Sequence, residues 1–264
     1  MTPERARFAG RTALVTGASR GIGAAVAVRL AELGADVAIV ARTLTPTAKI
    51  GGSLEATAAR VKQARGACTV IVADLSDSDD RTRIVPEALA GLGSIDTLVN
   101  NAAAAIYEPP QTYPLRRRRT TMEVNYHAPI DLMQGVVPHM RSRGRGWIVN
   151  LTSTAARPVP GPPFRKISPD VGLYGASKAA LERATNAFAV DLYGDGIRVN
   201  AVTPRAAVLT EGADALVGDQ LTSKDLEPVE HMVDAVLALA DCPMERTGRV
   251  YVSGDLLAEV GFER

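Results

Sequence analysis

Short, strongly apolar runs alternate along the chain with longer stretches in which apolar residues recur every three or four positions. The runs are Thr12–Thr16 (TALVT), Asp36–Ala41 (DVAIVA), Thr69–Ala73 (TVIVA), Thr97–Asn100 (TLVN), Trp147–Leu151 (WIVNL), Arg198–Val202 (RVNAV) and Arg249–Val252 (RVYV). Most lack polar alternation, which is the pattern of strands buried on both faces. The helical-period stretches between them are Ile22–Leu33, Ser53–Ala64, Asp79–Leu89, Met122–Arg141, Tyr174–Tyr193 and Pro228–Leu239. Strand and helix in turn predict parallel β-α-β units, hence an α/β doubly wound parallel sheet of about seven strands with helices on both faces. A single domain over residues 1–264 is expected. Ligands of such sheets bind beyond the carboxyl ends of the strands, so chemistry is sought in the turns there. One long stretch has no period: Ala156–Asp170 (ARPVPGPPFRKISPD), with five prolines. It is expected to be a loop, either overhanging the ligand cleft or a solvated insertion.

Composition narrows the function classes. With 30 basic against 29 acidic side chains, the chain lacks the electrostatic footprint of a nucleic-acid binder. An apolar content of 46% with interspersed charges argues against disorder. Cys68 and Cys242 are too few for a disulfide framework and fit a reducing compartment. His127, His139 and His231 lie far apart and match no metal-ligand spacing, so no metal is expected. No apolar run reaches the roughly 18 residues of a membrane span, and the opening MTPERARFAG has no apolar centre, so a cytoplasmic protein is expected. The run Arg116–Arg119 is taken as a solvated helix start, or alternatively a surface meeting an acidic partner subunit.

The first strand runs into Gly17-Ala18-Ser19-Arg20-Gly21-Ile22-Gly23, and a helical pattern follows at once. Glycines let the chain turn sharply and let backbone amides approach a pyrophosphate. The helix N-terminus then offers unsatisfied N–H groups and the positive end of a dipole. Farther on, Tyr174 and Lys178 are four residues apart on an expected helix, so their side chains share a face. A free phenol has a pKa of about 10, and a neighbouring ammonium is expected to pull it toward the working range.

These motifs, in this order, resemble the short-chain dehydrogenase/reductase family. TGASRGIG (Thr16–Gly23) is similar to its cofactor loop, and Asn100-Asn101-Ala102-Ala103 to its Asn-Asn-Ala-Gly motif, with alanine for glycine. Asn125 stands where the family has an asparagine in its fourth helix, and Ser153 matches its strand-end serine. Tyr174 and Lys178 match Tyr-x-x-x-Lys, and Arg198–Pro204 (RVNAVTP) the strand before a late Pro-Gly motif. The resemblance implies a Rossmann-type fold, a nicotinamide cofactor and a catalytic set of Asn125, Ser153, Tyr174 and Lys178. Tyr174 would be the acid/base, and Lys178 would also bond the nicotinamide ribose. Ser153 would hold the substrate oxygen, with Thr152 as a rival for that place. Asn125 would kink its helix and anchor a water of the proton relay.

The end of the second strand bears on the choice of cofactor. An acidic side chain there favours NAD, a basic one the 2′-phosphate of NADP. Here it is Ala41-Arg42, with Arg20 as a second cation, so NADP(H) is expected. The longer segment after Arg42 resembles the hydroxysteroid dehydrogenase-like branch and suggests Lys49 as a further phosphate ligand, against the reading of a mobile surface lysine. The expected cofactor contacts are Gly17, Ser19, Arg20, Gly21, Ile22, Gly23, Arg42, Thr43, Lys49, Asp74, Leu75, Asn101, Ala102, Ala103, Tyr174, Lys178, Pro204 and Thr210. The substrate would be a small alcohol or ketone of apolar or ring-shaped type. The resemblance also implies a homo-oligomer, tetramer or dimer, built through the fourth and fifth helices and the last strand.

Three departures stand out. Ser153 and Tyr174 are 21 positions apart, several more than is usual, Arg205 follows Pro204 where glycine is general, and Val252-Ser253-Gly254-Asp255 replaces Val-Asp-Gly-Gly. Two rival functions remain open at this point: a module that holds NADP without turnover, and a lyase or epimerase on the same fold.

Overall fold

Every strand-like run becomes a strand, with ends shifted by about a residue. The computed structural model describes residues 7–46, 51–164, 171–208, 210 and 226–261. The strands are β1 (Thr12–Thr16), β2 (Asp36–Ala41), β3 (Cys68–Val72), β4 (Thr97–Asn100), β5 (Gly146–Leu151), β6 (Ile197–Thr203) and, after two short ones, β9 (Val250–Val252). They form one seven-stranded sheet in the order β3-β2-β1-β4-β5-β6-β9, all neighbours parallel. The chain steps outward from β1 to β3, then returns to place β4 on the other side of β1. That reversal opens a crevice at the carboxyl ends of β1 and β4.

The lack of polar alternation now has its physical reason. In β1, Ala13 and Val15 face one apolar cluster while Leu14 faces the other; in β2, Val37 and Ile39 oppose Ala38 and Val40. On the first face pack α1 (Gly21–Glu32), α2 (Leu54–Gln63) and the late helix α7 (Val229–Leu239), through residues such as Leu30, Leu54 and Met232. On the second lie α3 (Ser78–Leu92), α5 (Ala128–Ser142) and α6 (Gly172–Leu192), through Ile84, Leu132, Met133 and Leu192. No helix among the described residues is long and apolar enough to cross a membrane.

The expected helix Met122–Arg141 needs correction. The chain is already helical in α4 (Leu115–Met122), passes through one π-helical turn at Glu123–His127, and continues as α5. Arg116–Arg119 therefore lie inside a helix rather than ahead of one. Arginine is a good helix former, but Thr121 is the only buried residue of α4, so no apolar period announces it. Two further elements had no sequence signal. A two-residue pair, β7 (Ala207–Val208) with β8 (Leu226–Glu227), and α8 (Ser253–Glu259) are too short to show one.

Candidate active site

A cleft of about 1500 Å³ runs along the carboxyl ends of the sheet. Its floor at β1 is the turn from Gly17 to Gly23. Gly17 has φ +66°, and a Cβ there would lie 2.8 Å from Ala102 Cα, so the residue must be glycine for both reasons. Thr16 and Asn101 hold the two loops together: Asn101 Nδ2 donates to Thr16 O at 2.8 Å, and Thr16 Oγ1 accepts from the Asn101 and Ala102 amides at 3.1 Å. Arg20 precedes α1 in an extended conformation without a side-chain cap, and the first turn holds no acidic residue. That helix end is therefore electrostatically suited to an anion.

At the β2 end, Arg20 Nη2 donates to Thr43 Oγ1 at 3.2 Å, while Arg20 Nε is buried without a hydrogen-bond partner. Arg42 is largely open to solvent and reaches Asp74 at 3.5 Å. Asp74 also accepts from the Ser76 amide and hydroxyl. These bonds and the Arg42 charge hold its carboxyl below the usual range, although burial acts the other way. The glycine cradle, the uncapped helix start and the orphaned guanidinium nitrogen fit a dinucleotide cofactor. Ser19, Gly21, Ile22, Leu75, Ala103, Pro204 and Thr210 line the same cleft. Lys49 lies outside the described residues.

Past the middle of the cleft, α6 brings Tyr174 and Lys178 opposite the end of β5. Both are buried, and Lys178 Nζ donates to Leu151 O at 2.9 Å. Burial lowers the Lys178 ammonium to about 8, with Glu182 one turn along opposing the fall. The expected lowering of the Tyr174 phenol is not found. Burial, and then Tyr107, push it well above its ordinary value, and only the Ser153 hydroxyl, in hydrogen-bond reach, acts downward. The reason is distance and solvation: the Lys178 ammonium sits 6.0 Å from the Tyr174 ring centre and is bonded to backbone instead.

Ser153 faces Tyr174 and also caps a 3-10 turn at Thr154–Ala156 by accepting from the Ala155 amide at 3.2 Å. Thr152, its rival, is turned toward β6 and donates to Val202 O at 3.4 Å. Asn125 is wholly buried in the π turn, where the helix was expected to deviate. Its amide clamps Ala104 through both backbone groups, at 2.8 and 3.1 Å, and donates to Ser177 Oγ at 3.0 Å. Ser177 in turn donates to Tyr174 O at 2.6 Å. Asn125 thus ties the β4 loop to the start of α6.

Comparison with known proteins agrees with this geometry. A family model described as short chain dehydrogenase matches residues 11–220. The chain belongs to the short-chain dehydrogenase family. Among solved structures it is similar to a short chain dehydrogenase from Mycobacterium thermoresistibile, with a TM-score of 0.83, 28% identity, and 96% of this chain and 88% of that one covered. A structure described as an NAD(P) dependent gluconate 5-dehydrogenase from Beutenbergia cavernae, with NADP bound at low occupancy, gives a TM-score of 0.80 at 31% identity, covering 95% and 98%. A curated relative, hydroxysteroid dehydrogenase-like protein 2 of Danio rerio, is 29% identical over all of this chain. The chain spans 61% of that relative's length.

Two departures of this short-chain dehydrogenase explain each other. The Arg205 guanidinium pairs with Asp255 across Gly254, where a Cβ would lie 2.8 Å from Arg205 Cζ. The Arg205 amide donates to the buried Glu227 at 2.7 Å and to Ser253 Oγ at 3.2 Å. Sequence reasoning missed Tyr107, whose ring meets Tyr174 edge-on at a centroid distance of 5.5 Å. Its place on the loop after β4 was the available signal, since that loop follows a strand's carboxyl end.

Proposed function

We propose that this chain interconverts a secondary alcohol and a ketone with NADP(H), using Tyr174 as acid and base. The reading rests on one observation, the meeting of the half-buried Ser153 with the buried Tyr174 beside Lys178 on the glycine-lined cleft. When bound, the cofactor supplies or accepts the hydride. Gly17–Gly23 and the start of α1 hold its pyrophosphate, Arg20, Arg42 and Thr43 its 2′-phosphate, and Asp74 and Leu75 its adenine. Asn101–Ala103, Lys178, Pro204 and Thr210 hold its other half.

Ser153 orients the substrate oxygen. Burial keeps the Tyr174 phenol protonated, so in reduction it donates that proton to the carbonyl oxygen. In oxidation the reverse transfer runs from the substrate hydroxyl to the Tyr174 phenolate. Asn125 and Ser177 fix the backbone from which Tyr174 projects. The chain acts as one domain and assembles as a homo-oligomer, a reading favoured by exposed Val190 and Tyr193 on and after α6.

The test is Tyr174→Phe, assayed with NADPH against a panel of ketones. Turnover falls by about 10²–10⁴-fold, while NADPH affinity from a fluorescence titration stays near wild type. Full turnover in the variant rejects Tyr174 as the acid. A wild-type protein that binds NADPH and reduces nothing favours the non-catalytic module.

A further inference from the structure

The stretch between Ser153 and Tyr174 is longer than its family usually has, and its described part turns apolar side chains onto the cleft. Val159 and Phe164 both line it, yet stand 38% and 70% exposed. The Phe164 ring is seated on the loop rather than hanging from it. It lies over the backbone of Gly161, where a Cβ would come within 2.8 Å of Phe164 Cε1. Tyr107, packed edge-on against Tyr174, and Val124, Val208 and Met232 line the same cleft. Of the charged side chains lining the cleft apart from Arg20, Arg42 and Asp74, Lys178 donates to Leu151 O and Arg157 interacts electrostatically with Glu182. The space beside Tyr174 thus has a large apolar share of its lining, and the Phe164 ring on it is open to solvent.

We infer that Phe164, with Val159, is a specificity-determining wall that selects neutral ketones and alcohols carrying a large apolar body, such as a fused ring or a long alkyl chain. The bound substrate takes the place of water on the ring. This rests on the alcohol–ketone reading above. A bulky apolar substrate gains from contact with the ring, whereas a small one reacts at Tyr174 without reaching it.

The experiment measures kcat and KM with NADPH for 2-decalone and cyclohexanone, in the wild type and in Phe164→Ala and Phe164→Leu. In Phe164→Ala the ratio of kcat/KM for the fused ring to that for the single ring falls about tenfold, chiefly through KM. Phe164→Leu restores most of it. A ratio unchanged in Phe164→Ala overturns the inference, as does a change of oligomeric state in that variant by light scattering, which would mean that a second copy covers the ring. Gly161→Ala, which displaces the ring without removing it, lowers the ratio in the same direction; no effect there also counts against it. If the wild type reduces neither ketone the parent reading fails; if it reduces both and only the ratio stays fixed, this inference fails alone.

Discussion

Lys178 carries an ammonium to a place that water hardly reaches: it is 2% exposed, and its Nζ donates to Leu151 O. Burial lowers its pKa from 10.5 to about 8, the Glu182 charge offsetting part of the fall. Between those two values the unfolded chain holds the proton and the folded chain does not, so the unfolded state binds more protons and stability rises with pH. Lys178→Met removes that dependence. The wild type should therefore gain on the variant by on the order of 2 kcal/mol as pH goes from 8 to 10.5. Paired denaturant melts at each pH measure the difference, and a flat difference contradicts the assignment. At this scale the sequence made Tyr174, Lys178 and Ser153 legible, because spacing on a helix and position at a strand end are local facts. The direction of the Tyr174 shift was not legible. It depends on Tyr107 and on burial by distant loops, and no local pattern carries either.

Elements matter here through how closely they dock. Gly175 follows Tyr174 at the start of α6, and a Cβ on it would collide with Ala155 O and lie 2.9 Å from Ala155 C. The missing side chain lets the helix settle against the 3-10 turn that begins at Ser153, and so brings phenol and hydroxyl together. Gly175→Ala should push the two apart and lower kcat by about 10²-fold, with a smaller loss of NADPH affinity and a lower melting temperature. Steady-state kinetics beside a thermal melt check this; undiminished turnover would mean that the helix docks equally well with the added methyl. Strands were legible because burial on both faces writes continuous apolar runs. Helix α4 was not, since its arginines face solvent and the helix is held by neighbours rather than by an apolar stripe. The π turn at Asn125 was foreshadowed only by the family resemblance, for its cause is the clamp on Ala104 across 21 residues.

Across the whole molecule the cleft has two unlike ends. One is assembled from the loops after β1, β2 and β3, which bring Arg20, Arg42, Thr43 and Asp74 together; the other is apolar and closed by loops after β4 and β5. No single segment specifies either end, so the polarity of the cleft emerges only when parallel strands align their carboxyl ends. On the proposed function, the cationic end is where cofactor choice would be made. Arg42 is 72% exposed, so its attraction for a phosphate is screened and worth about 1.5 kcal/mol rather than the value for a buried pair. Arg42→Ala also leaves Asp74 without that cation, and the freed carboxylate repels a 2′-phosphate but can still accept a hydrogen bond from a ribose hydroxyl. Both effects act against NADPH and neither against NADH. The variant should bind NADPH roughly tenfold more weakly, change little toward NADH, and narrow the gap further as salt is raised. Fluorescence titrations with the two nucleotides at low and high ionic strength decide it: an equal loss for both would move the phosphate contact away from Arg42 and leave Arg20 to account for any preference.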